Sequence, residues 1–354
     1  MERTAYRTCP LCEASCGLEI EIVDQRVKRI RGDRSHVMSA GFICPKGSTL
    51  KQLYEDPDRL RTPMIKEDGH HRPASWEEAY ALIADRWGQI TEEHGRQAVA
   101  VYLGNPNAHQ FENSLALRPL IKAMGTKNVF SASSVDQLPK HVSAGLMFGH
   151  PLSIPVPDLD RTDYLLMLGA NPYESNGSLC TAPDFPGRLE RLQRRGGKFV
   201  VVDPRRTKTA AKADRWIAIN PGADAAFLLA ILNAILEEGP VLADHLRDRV
   251  EGLEVLPELV ATFTPEATAR FTGVDAAVTR AVAKELTKAR RAAVYGRIGT
   301  HTVAFGTTAS WAVDVLNVIT GNLDRAGGAM FPYPSHIGSQ RATRPFVMGR
   351  WHGR

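Results

Sequence analysis

The sequence lacks an apolar run long enough to cross a membrane as a helix. Its first eight residues contain no apolar stretch, so they do not resemble a secretory signal. A twin-arginine export signal is also absent, because a cysteine pattern that begins at residue 9 leaves no room for one. We therefore expect a cytoplasmic protein without a membrane span.

Strong charge of one sign is also absent. The 44 Lys and Arg residues against 39 Asp and Glu residues give a net charge of +5, and the basic residues form no dense run beside aromatic residues. Nucleic-acid binding is therefore not expected, whereas a cofactor that carries a pyrophosphate would match the small positive excess. The 354 residues, 43% of them hydrophobic and 23% charged, suit a globular protein of two or three domains.

Cysteine is scarce and unevenly distributed. Four of the five cysteines, Cys9, Cys12, Cys16 and Cys44, lie in the first 44 residues, while Cys180 stands alone and is expected to be a small core residue. Disulfides are rare in cytosolic proteins, so clustered cysteines predict metal ligands.

The spacing of these four cysteines is C-x2-C-x3-C-x27-C. Three thiolates close in sequence can face one side of an inorganic cube, and a distant fourth completes the usual ligand set of a [4Fe-4S] cluster. A zinc site made by the same residues is the alternative. Zinc favours paired C-x2-C knuckles on both sides, and only one such pair is present.

The cysteine module is followed by short elements. Apolar and polar residues alternate over 18–23 and 27–30 around a polar turn, which predicts a β-hairpin that returns Cys44 towards the first three cysteines. Residues 56–74 are typical of a linker. Ser75 and Glu78 form a capping box for a helix that Gly95 ends, and residues 98–103 are typical of a buried strand.

Beyond about residue 150, strand and helix patterns alternate, which predicts an α/β fold with a parallel, doubly wound, Rossmann-like sheet after a small β-rich cluster module. The predicted strands are 164–168, 199–202, 216–219 and 292–295, and the predicted helices are 188–195, 224–238, 275–289 and 307–319. We expect three domains: 1–55 for the cluster, 56–149 as an incomplete α/β domain, and 150–330 for dinucleotide binding. Residues 331–354 and further sequence would complete the second domain.

The cysteine string continues as Cys44-Pro45-Lys46-Gly47, and with the α/β body it resembles the molybdopterin oxidoreductase family of formate dehydrogenases and nitrate reductases. The resemblance implies a [4Fe-4S] cluster, and molybdenum or tungsten held by two molybdopterin guanine dinucleotides. It places Lys46 between cluster and pterin. It also implies a small-molecule substrate and an electron carrier or redox subunit as partner.

Three later loops, each following a predicted strand, are similar to the loops with which that family binds the dinucleotide. A glycine turn at the end of a parallel strand lets backbone N–H groups approach phosphates. The candidate cofactor-binding residues are Gly169, Asn171, Glu174 and Asn176 in the first loop, Asp203, Arg205 and Thr207 in the second, and Gly222 and Asp224 in the third.

The resemblance puts Leu138 where many relatives have a cysteine or selenocysteine on the metal, and Pro139 where formate dehydrogenases have histidine. Asp136 is a candidate oxygen ligand, or else a turn or capping residue. His141 is a candidate acid or base, because its ordinary pKa is near neutral, or else a partly buried helix histidine. Arg297, in a loop with His301, is expected to face the metal centre, or else to be solvated.

These features favour a molybdopterin-dependent oxidoreductase that passes electrons between a substrate and an external carrier through the cluster. Relatives usually continue for several hundred residues, which include a C-terminal barrel for the second pterin, so this chain is expected to be an N-terminal portion. A non-catalytic iron-sulfur electron-transfer subunit and a zinc-stabilised nucleotide-binding protein are the alternatives.

Overall fold

The structure is a computed structural model. It describes residues 1–332 apart from 105, 106, 108, 178, 179, 181 and 241. The chain forms two compact units, Met1–Ala132 and Ser133–Arg354. Residues 333–354, which were expected to help complete the second domain, lie outside the described residues, and the division into three domains stays a prediction.

The first unit consists of three small sheets with helices between them. Its elements are β1 (Glu2–Thr8), β2 (Gly17–Val23), β3 (Arg26–Gly32), α1 (Pro45–Ser48), α2 (Leu50–Glu55), β4 (Met64–Glu67), β5 (His70–Pro73), α3 (Trp76–His94), β6 (Val101–Leu103), α4 (Phe111–Met124) and β7 (Val129–Ser131). The β4–β5 pair is a hairpin inside the segment predicted to be a linker.

The predicted hairpin is confirmed as β2 and β3, which pair antiparallel, and β1 adds a third antiparallel strand beside β2. We did not predict β1, because this edge strand is exposed at nearly every position and therefore shows no apolar alternation. Leu18, Ile20 and Ile30 lie on the inner face of the sheet and pack against Cys9 and Cys16. The sheet thus supplies the small core that supports the cysteines.

The helix predicted after Ser75 is confirmed as α3, and the Ser75 hydroxyl accepts a hydrogen bond from the Glu78 backbone N–H at 3.1 Å. The strand predicted at 98–103 is confirmed only for Val101–Leu103, and its predicted burial is wrong. A 3-10 helix covers Arg96–Ala98, and the strand β6 has only three residues, with Tyr102 69% exposed. In the described residues β6 pairs in parallel with β7 alone.

The second unit has a parallel sheet with helices on both faces. Its elements are α5 (Ser133–Asp136), α6 (Leu138–Phe148), β8 (Val156–Pro157), β9 (Tyr164–Leu168), α7 (Pro172–Ser175), α8 (Phe185–Arg194), β10 (Lys198–Val202), α9 (Lys208–Lys212), β11 (Arg215–Ile217), α10 (Asp224–Glu238), α11 (Asp244–Arg247), α12 (Leu256–Val260), α13 (Pro265–Thr272), α14 (Ala276–Lys288), β12 (Ala292–Gly296), α15 (Ile298–His301), α16 (Gly306–Ile319) and β13 (Ala329–Met330). The short strands β8 and β13 pair antiparallel.

The main sheet has the strand order β11-β10-β9-β12, and all of its pairs are parallel. Alternate side chains of each strand enter two separate cores, because successive residues of a strand point to opposite faces. Leu166, Val200 and Val294 pack with α10, α14 and α16 on one face, and Leu165, Val201 and Ala293 pack with α8 on the other. The predicted doubly wound α/β fold is confirmed.

The carboxyl ends of β9, β10 and β12 lie side by side in this sheet, and ligands of open parallel sheets bind at that edge. Each of these strands is followed by a loop that holds predicted site residues. No helix of the described residues is both long and apolar enough to cross a membrane.

Candidate functional site

Three of the four N-terminal cysteines lie in the loop between β1 and β2, and Cys44 lies in the segment between β3 and α1. The Cys9 backbone N–H donates to the Cys16 carbonyl oxygen at 2.8 Å, and the Ser15 N–H donates to the Cys12 carbonyl oxygen at 3.1 Å. These bonds close the loop into a compact turn. Cys44 precedes α1 and caps its amino end.

All four thiols are close enough to interact electrostatically. Burial, followed by the charges of Cys12, Cys9 and Cys44, raises the pKa of Cys16 to about 11. Burial also raises the pKa values of Cys9 and Cys12, and each of these is raised further by Cys44. Thiols that repel one another as thiolates suit a cationic iron centre, because coordination to a metal deprotonates a thiol.

In the described part of the chain, no three His, Cys, Asp or Glu side chains are grouped tightly enough to hold one metal ion. A [4Fe-4S] cube does not require such a group, since each thiolate binds a different iron atom at a different corner. The sequence order, the compact turn and the mutual electrostatic effect of the four cysteines all fit this cluster.

Helix α1 brings backbone close to the cysteines. A Cβ added to Gly47 would lie 2.8 Å from Ile43 Cγ1 and 3.9 Å from Cys9 Sγ, so a side chain there would push the helix away. Lys46 is exposed, and its positive charge lowers the pKa values of Cys9 and Cys12. Its expected place between cluster and pterin stays a prediction.

In the second unit, the loops that follow β9 and β12 meet backbone to backbone. The Gly299 N–H donates to the Gly169 carbonyl oxygen at 3.0 Å, and a Cβ on Gly169 would lie 2.6 Å from the Thr300 backbone nitrogen. Gly169 also has a φ of +56°, in the left-handed region that favours glycine. Glycine is therefore required at residue 169 by both conformation and space.

Several predicted cofactor-binding residues form side-chain hydrogen bonds that hold the conformations of these loops. The Asn171 Oδ1 accepts a hydrogen bond from the Thr209 hydroxyl at 2.7 Å, and the Asn176 Oδ1 accepts from the Phe185 N–H at 3.3 Å. The Thr207 hydroxyl caps α9 by accepting from the Ala210 N–H at 3.1 Å. These three side chains hold the loops in place.

Two of the remaining candidates, Asp203 and Asp224, bring their carboxyl groups close together at the same edge of the sheet. Asp224, in the first turn of α10, is buried, and burial, together with the nearby Asp203, raises its pKa to about 6. The Asp203 Oδ1 accepts from the N–H of the exposed Arg205 at 2.8 Å, and burial raises the pKa of Asp203. A Cβ on Gly222 would meet no atom within 4 Å, so space remains there.

Glu174 differs from this group, because it forms an exposed ion pair with Lys208 at 2.5 Å. Two carboxyl groups, one buried and one partly buried, beside a glycine with free space suit recognition of a guanine edge, because the N–H groups of guanine would donate to the carboxylates and offset the cost of their burial. The functions of all these residues stay predictions.

The structure brings Asp136, His141 and Arg297, the three predicted catalytic residues, into one cluster with His301, in which Asp136 is partly buried and the other three are buried. Burial lowers the pKa of His141, the Pro151 carbonyl and Asp136 oppose the shift, and Arg297 adds to it. Burial and then the positive charges of Lys140 and Arg297 lower the pKa of His301 to about 3. Both imidazoles are therefore neutral at pH 7.

Arg297 and His301 are only 4% and 2% exposed, so the alternative of a solvated loop is wrong. Three polar atoms of the cluster are buried without a hydrogen-bond partner in the described residues: Asp136 Oδ1, Arg297 Nη1 and His301 Nδ1. Buried polar atoms of proteins normally have partners, so these three could bind an ordered water or a ligand.

We did not predict from the sequence the ion pair that supports this cluster. Lys140 of α6 donates to Asp314 of α16 at 2.6 Å, and both side chains are buried. One signal was available: Asp314 is the single charged residue of α16, a helix that is otherwise apolar or neutral and almost entirely buried. A lone charge in such a helix indicates a buried partner.

Comparisons with known proteins identify the family. Residues 2–56 match the molybdopterin oxidoreductase Fe4S4 domain, and residues 59–349 match molybdopterin oxidoreductase. The F420-dependent formate dehydrogenase subunit alpha of Methanocaldococcus jannaschii is 28% identical over 92% of this chain and 46% of its own length. The thiosulfate reductase molybdopterin-containing subunit PhsA of Salmonella typhimurium is 30% identical over 90% of this chain and 41% of its own.

Formate dehydrogenase H of Escherichia coli is 28% identical over 92% of this chain and 45% of its own length. The chain thus spans less than half of each of these relatives. Among solved structures, acetylene hydratase from Pelobacter acetylenicus matches 89% of this chain and 43% of its own, with a TM-score of 0.75 and 24% identity. That likeness shows a shared fold.

Proposed function

Because the chain belongs to the molybdopterin oxidoreductase family, we propose that it is the N-terminal portion of an enzyme that passes electrons between a small-molecule substrate and an external carrier. Its cofactors are a [4Fe-4S] cluster and a molybdopterin cofactor. When bound, the molybdenum or tungsten ion supplies two-electron chemistry and the cluster supplies a one-electron relay.

One observation carries the electron-transfer part of this proposal. Hydrogen bonds close the turn that holds Cys9, Cys12 and Cys16, and helix α1, which Cys44 precedes, comes close to Cys9 at Gly47, all within the Fe4S4 domain. Cys9, Cys12, Cys16 and Cys44 would hold the cluster. Lys46 would lie on its pterin side and lower the energy of added negative charge.

The chain's own residues support binding of a guanine dinucleotide at the carboxyl edge of the main sheet. Gly222 leaves open space in which backbone N–H groups could approach phosphates, Arg205 would offer them a positive charge, and Gly169 holds its loop against the loop after β12. Asp224 and Asp203 would accept hydrogen bonds from the guanine base. Asn171, Asn176 and Thr207 would act through the loops that they hold.

We assign no particular substrate to this chain. The names of the relatives specify formate and thiosulfate for those proteins, but this chain has Leu138 and Pro139 where the residues of formate oxidation would stand. We propose Asp136 as the oxygen ligand of the metal, supported by its buried and unpartnered Oδ1. His141 and Arg297 would lie beside it and act on substrate.

A partner subunit is part of the proposal, since the relative from Methanocaldococcus jannaschii is named a subunit. We also propose that further polypeptide completes the first unit. Trp76, Tyr80 and Tyr102 are between 59% and 69% exposed, and a parallel sheet is ordinarily covered on both faces. A cytoplasmic location remains a proposal from the sequence.

Metal analysis of the purified chain, with low-temperature EPR after reduction, tests the cluster. We expect about four iron atoms per chain and a cluster signal, together with molybdenum or tungsten when the cofactor is loaded. Iron alone, with no affinity for the molybdopterin cofactor, would favour the electron-transfer subunit. Zinc without iron would contradict both functions.

Two cysteine variants sharpen this test. Cys44→Ser should lose the EPR signal and most of the iron, because it removes the distant ligand. Cys180→Ser is the matched control, since Cys180 is buried in the second unit and should keep the full iron content.

A further inference from the structure

Gly17, the residue after the third cysteine, has both of its backbone polar groups held by residues 33–39. Its carbonyl oxygen accepts a hydrogen bond from the Asp33 N–H at 2.9 Å, and its N–H donates to the Ser39 hydroxyl at 3.0 Å. The second bond is buried, and Ser39 is only 5% exposed. The Gly17 N–H is thus committed to a side-chain oxygen rather than to a sulfur atom.

The Ser39 hydroxyl has a defined orientation. Its oxygen lies 3.0 Å from His36 Nδ1, which also accepts a hydrogen bond from the Ser39 N–H at 3.2 Å. Because this ring nitrogen accepts from a backbone N–H, it carries no proton, and the hydroxyl donates to it. The lone pairs of the Ser39 oxygen therefore face the Gly17 N–H, and a hydroxyl that donates on one side is a stronger acceptor on the other.

The peptide bond between Cys16 and Gly17 is held at both of its polar atoms. The Cys16 carbonyl oxygen accepts from the Cys9 N–H at 2.8 Å, while the Gly17 N–H donates to Ser39. Loss of the Ser39 hydroxyl removes only the second of these bonds, so the peptide bond keeps its orientation. Its N–H dipole then lies beside Cys16 without an oxygen that compensates it.

Cysteines of the turn differ in the backbone donors that act on their sulfur atoms. Burial raises the pKa of Cys12, and a hydrogen bond from the Ala14 backbone, two residues further on, opposes the rise. Burial also raises the pKa of Cys16, to about 11, and the backbone hydrogen bond that opposes this rise comes from Cys16 itself. The next N–H along the chain, that of Gly17, is engaged by Ser39 instead.

We propose that Ser39 is a positioning residue of the [4Fe-4S] cluster, which keeps the reduction potential of the cluster low by engaging the Gly17 N–H. The inference rests on the proposed function, since it requires the cluster. Reduction adds negative charge, which the positive end of a free N–H dipole stabilises, and hydrogen bonds at the sulfur atoms are among the determinants of the potential. One dipole has a large effect in a loop from which water is excluded.

The test is an anaerobic redox titration of the purified full chain, followed by EPR of the reduced cluster, with iron counted per chain. We expect Ser39→Ala to keep the iron content of the unchanged chain and to move the reduction potential to a more positive value. Ser39→Thr keeps a hydroxyl at this position and should restore the original potential. Ser48→Ala is the matched control, because the Ser48 hydroxyl is exposed and donates to the Pro45 carbonyl oxygen.

Three results would overturn the proposal. The first is a potential in Ser39→Ala that is unchanged or more negative. The second is loss of iron from Ser39→Ala, because the hydroxyl would then hold the loop rather than set the potential. The third is an equal shift in Ser39→Thr, which would come from a disturbed loop. In each case the unchanged chain still holds its cluster, so the proposed function stands, whereas absence of iron from the unchanged chain contradicts that function as well.

Discussion

The ammonium of Lys140 lies 2.6 Å from a carboxylate oxygen of Asp314, although 174 residues separate them in the chain and both side chains are almost completely buried. The pair joins α6, which follows the candidate ligand Asp136, to α16, which packs on the main sheet. It therefore fixes the position of the buried cluster relative to the sheet.

Breaking this pair should destabilise the chain strongly, because the remaining charge is buried and uncompensated. We expect Lys140→Met or Asp314→Leu alone to lower the free energy of unfolding by about 3–5 kcal/mol, and the double variant to be within about 1 kcal/mol of the unchanged chain. Urea unfolding measures both effects. The exposed pair of Arg247 and Asp244 is the control, and Arg247→Ala should cost less than about 1 kcal/mol.

Asp224 should make stability depend on pH between about 4 and 6. Its pKa in the folded chain is about 6, above the ordinary value of 3.8. In that window the folded chain keeps a proton that the unfolded chain has lost, so the free energy of unfolding falls as pH rises. Asp224→Asn should remove this slope and stabilise the chain at pH 7 by roughly 2 kcal/mol.

Thermal unfolding over a pH series measures this effect. Asp248→Asn, at an exposed position just after α11, is the control and should leave the pH slope unchanged. A slope that persists in Asp224→Asn would show that another group is responsible.

The close contact between the loops after β9 and β12 should leave no room for a side chain at residue 169. Gly169→Ala combines a positive φ with a Cβ only 2.6 Å from the Thr300 nitrogen, whereas Gly222→Ala has a positive φ of +82° and open space. We expect a loss of about 1 kcal/mol for Gly222→Ala and about 1–3 kcal/mol more for Gly169→Ala. Equal melting temperatures for the two variants would refute the close contact.

The residue after the third cysteine is constrained by a histidine. A Cβ on Gly17 would lie 2.5 Å from His36 Cβ and Cγ, and the Gly17 N–H donates to the Ser39 hydroxyl at 3.0 Å. Gly17→Ala should therefore displace the loop and lower the iron content per chain. Adding His36→Gly should restore most of the iron, because it removes the Cβ, Cγ and Cδ2 atoms that the new side chain would meet.

His36→Gly alone is the control for this series and should keep its cluster, although it loses the contact between His36 Nδ1 and Ser39. Iron content and visible absorbance measure all three variants. A full iron content in Gly17→Ala would contradict the steric argument.

The parts of the fold that could be predicted from the sequence are those in which burial leaves a strong pattern. Helix α10 begins and ends at the predicted residues, because its apolar run stops at Gly239-Pro240. The strand β1 was not predicted, because it is polar and exposed. Burial was wrongly predicted for residues 98–103, because an apolar run in the sequence does not show whether another part of the protein packs against it.

For the candidate site, the cysteines and the loop glycines were accessible from local spacing. The partnership of Lys140 with Asp314 was not, because no local pattern connects residues so far apart. The burial of Arg297 was missed for the same reason. Its loop is polar in sequence, and only the packing of α6, α15 and α16 around β12 removes it from water.

The order of the strands in the main sheet has a consequence for biosynthesis. β9 is completely buried between β10 and β12, yet β12 is the last of the four strands to be translated. Thr300 and its hydrogen-bond partner Leu168 are 132 residues apart, which at about 5–20 residues per second corresponds to roughly ten seconds on the ribosome. Throughout that interval one edge of an entirely apolar strand stays open to mispairing. The contact between the loops after β9 and β12 can therefore form only after α15 has left the ribosome, long after β9 itself has been made.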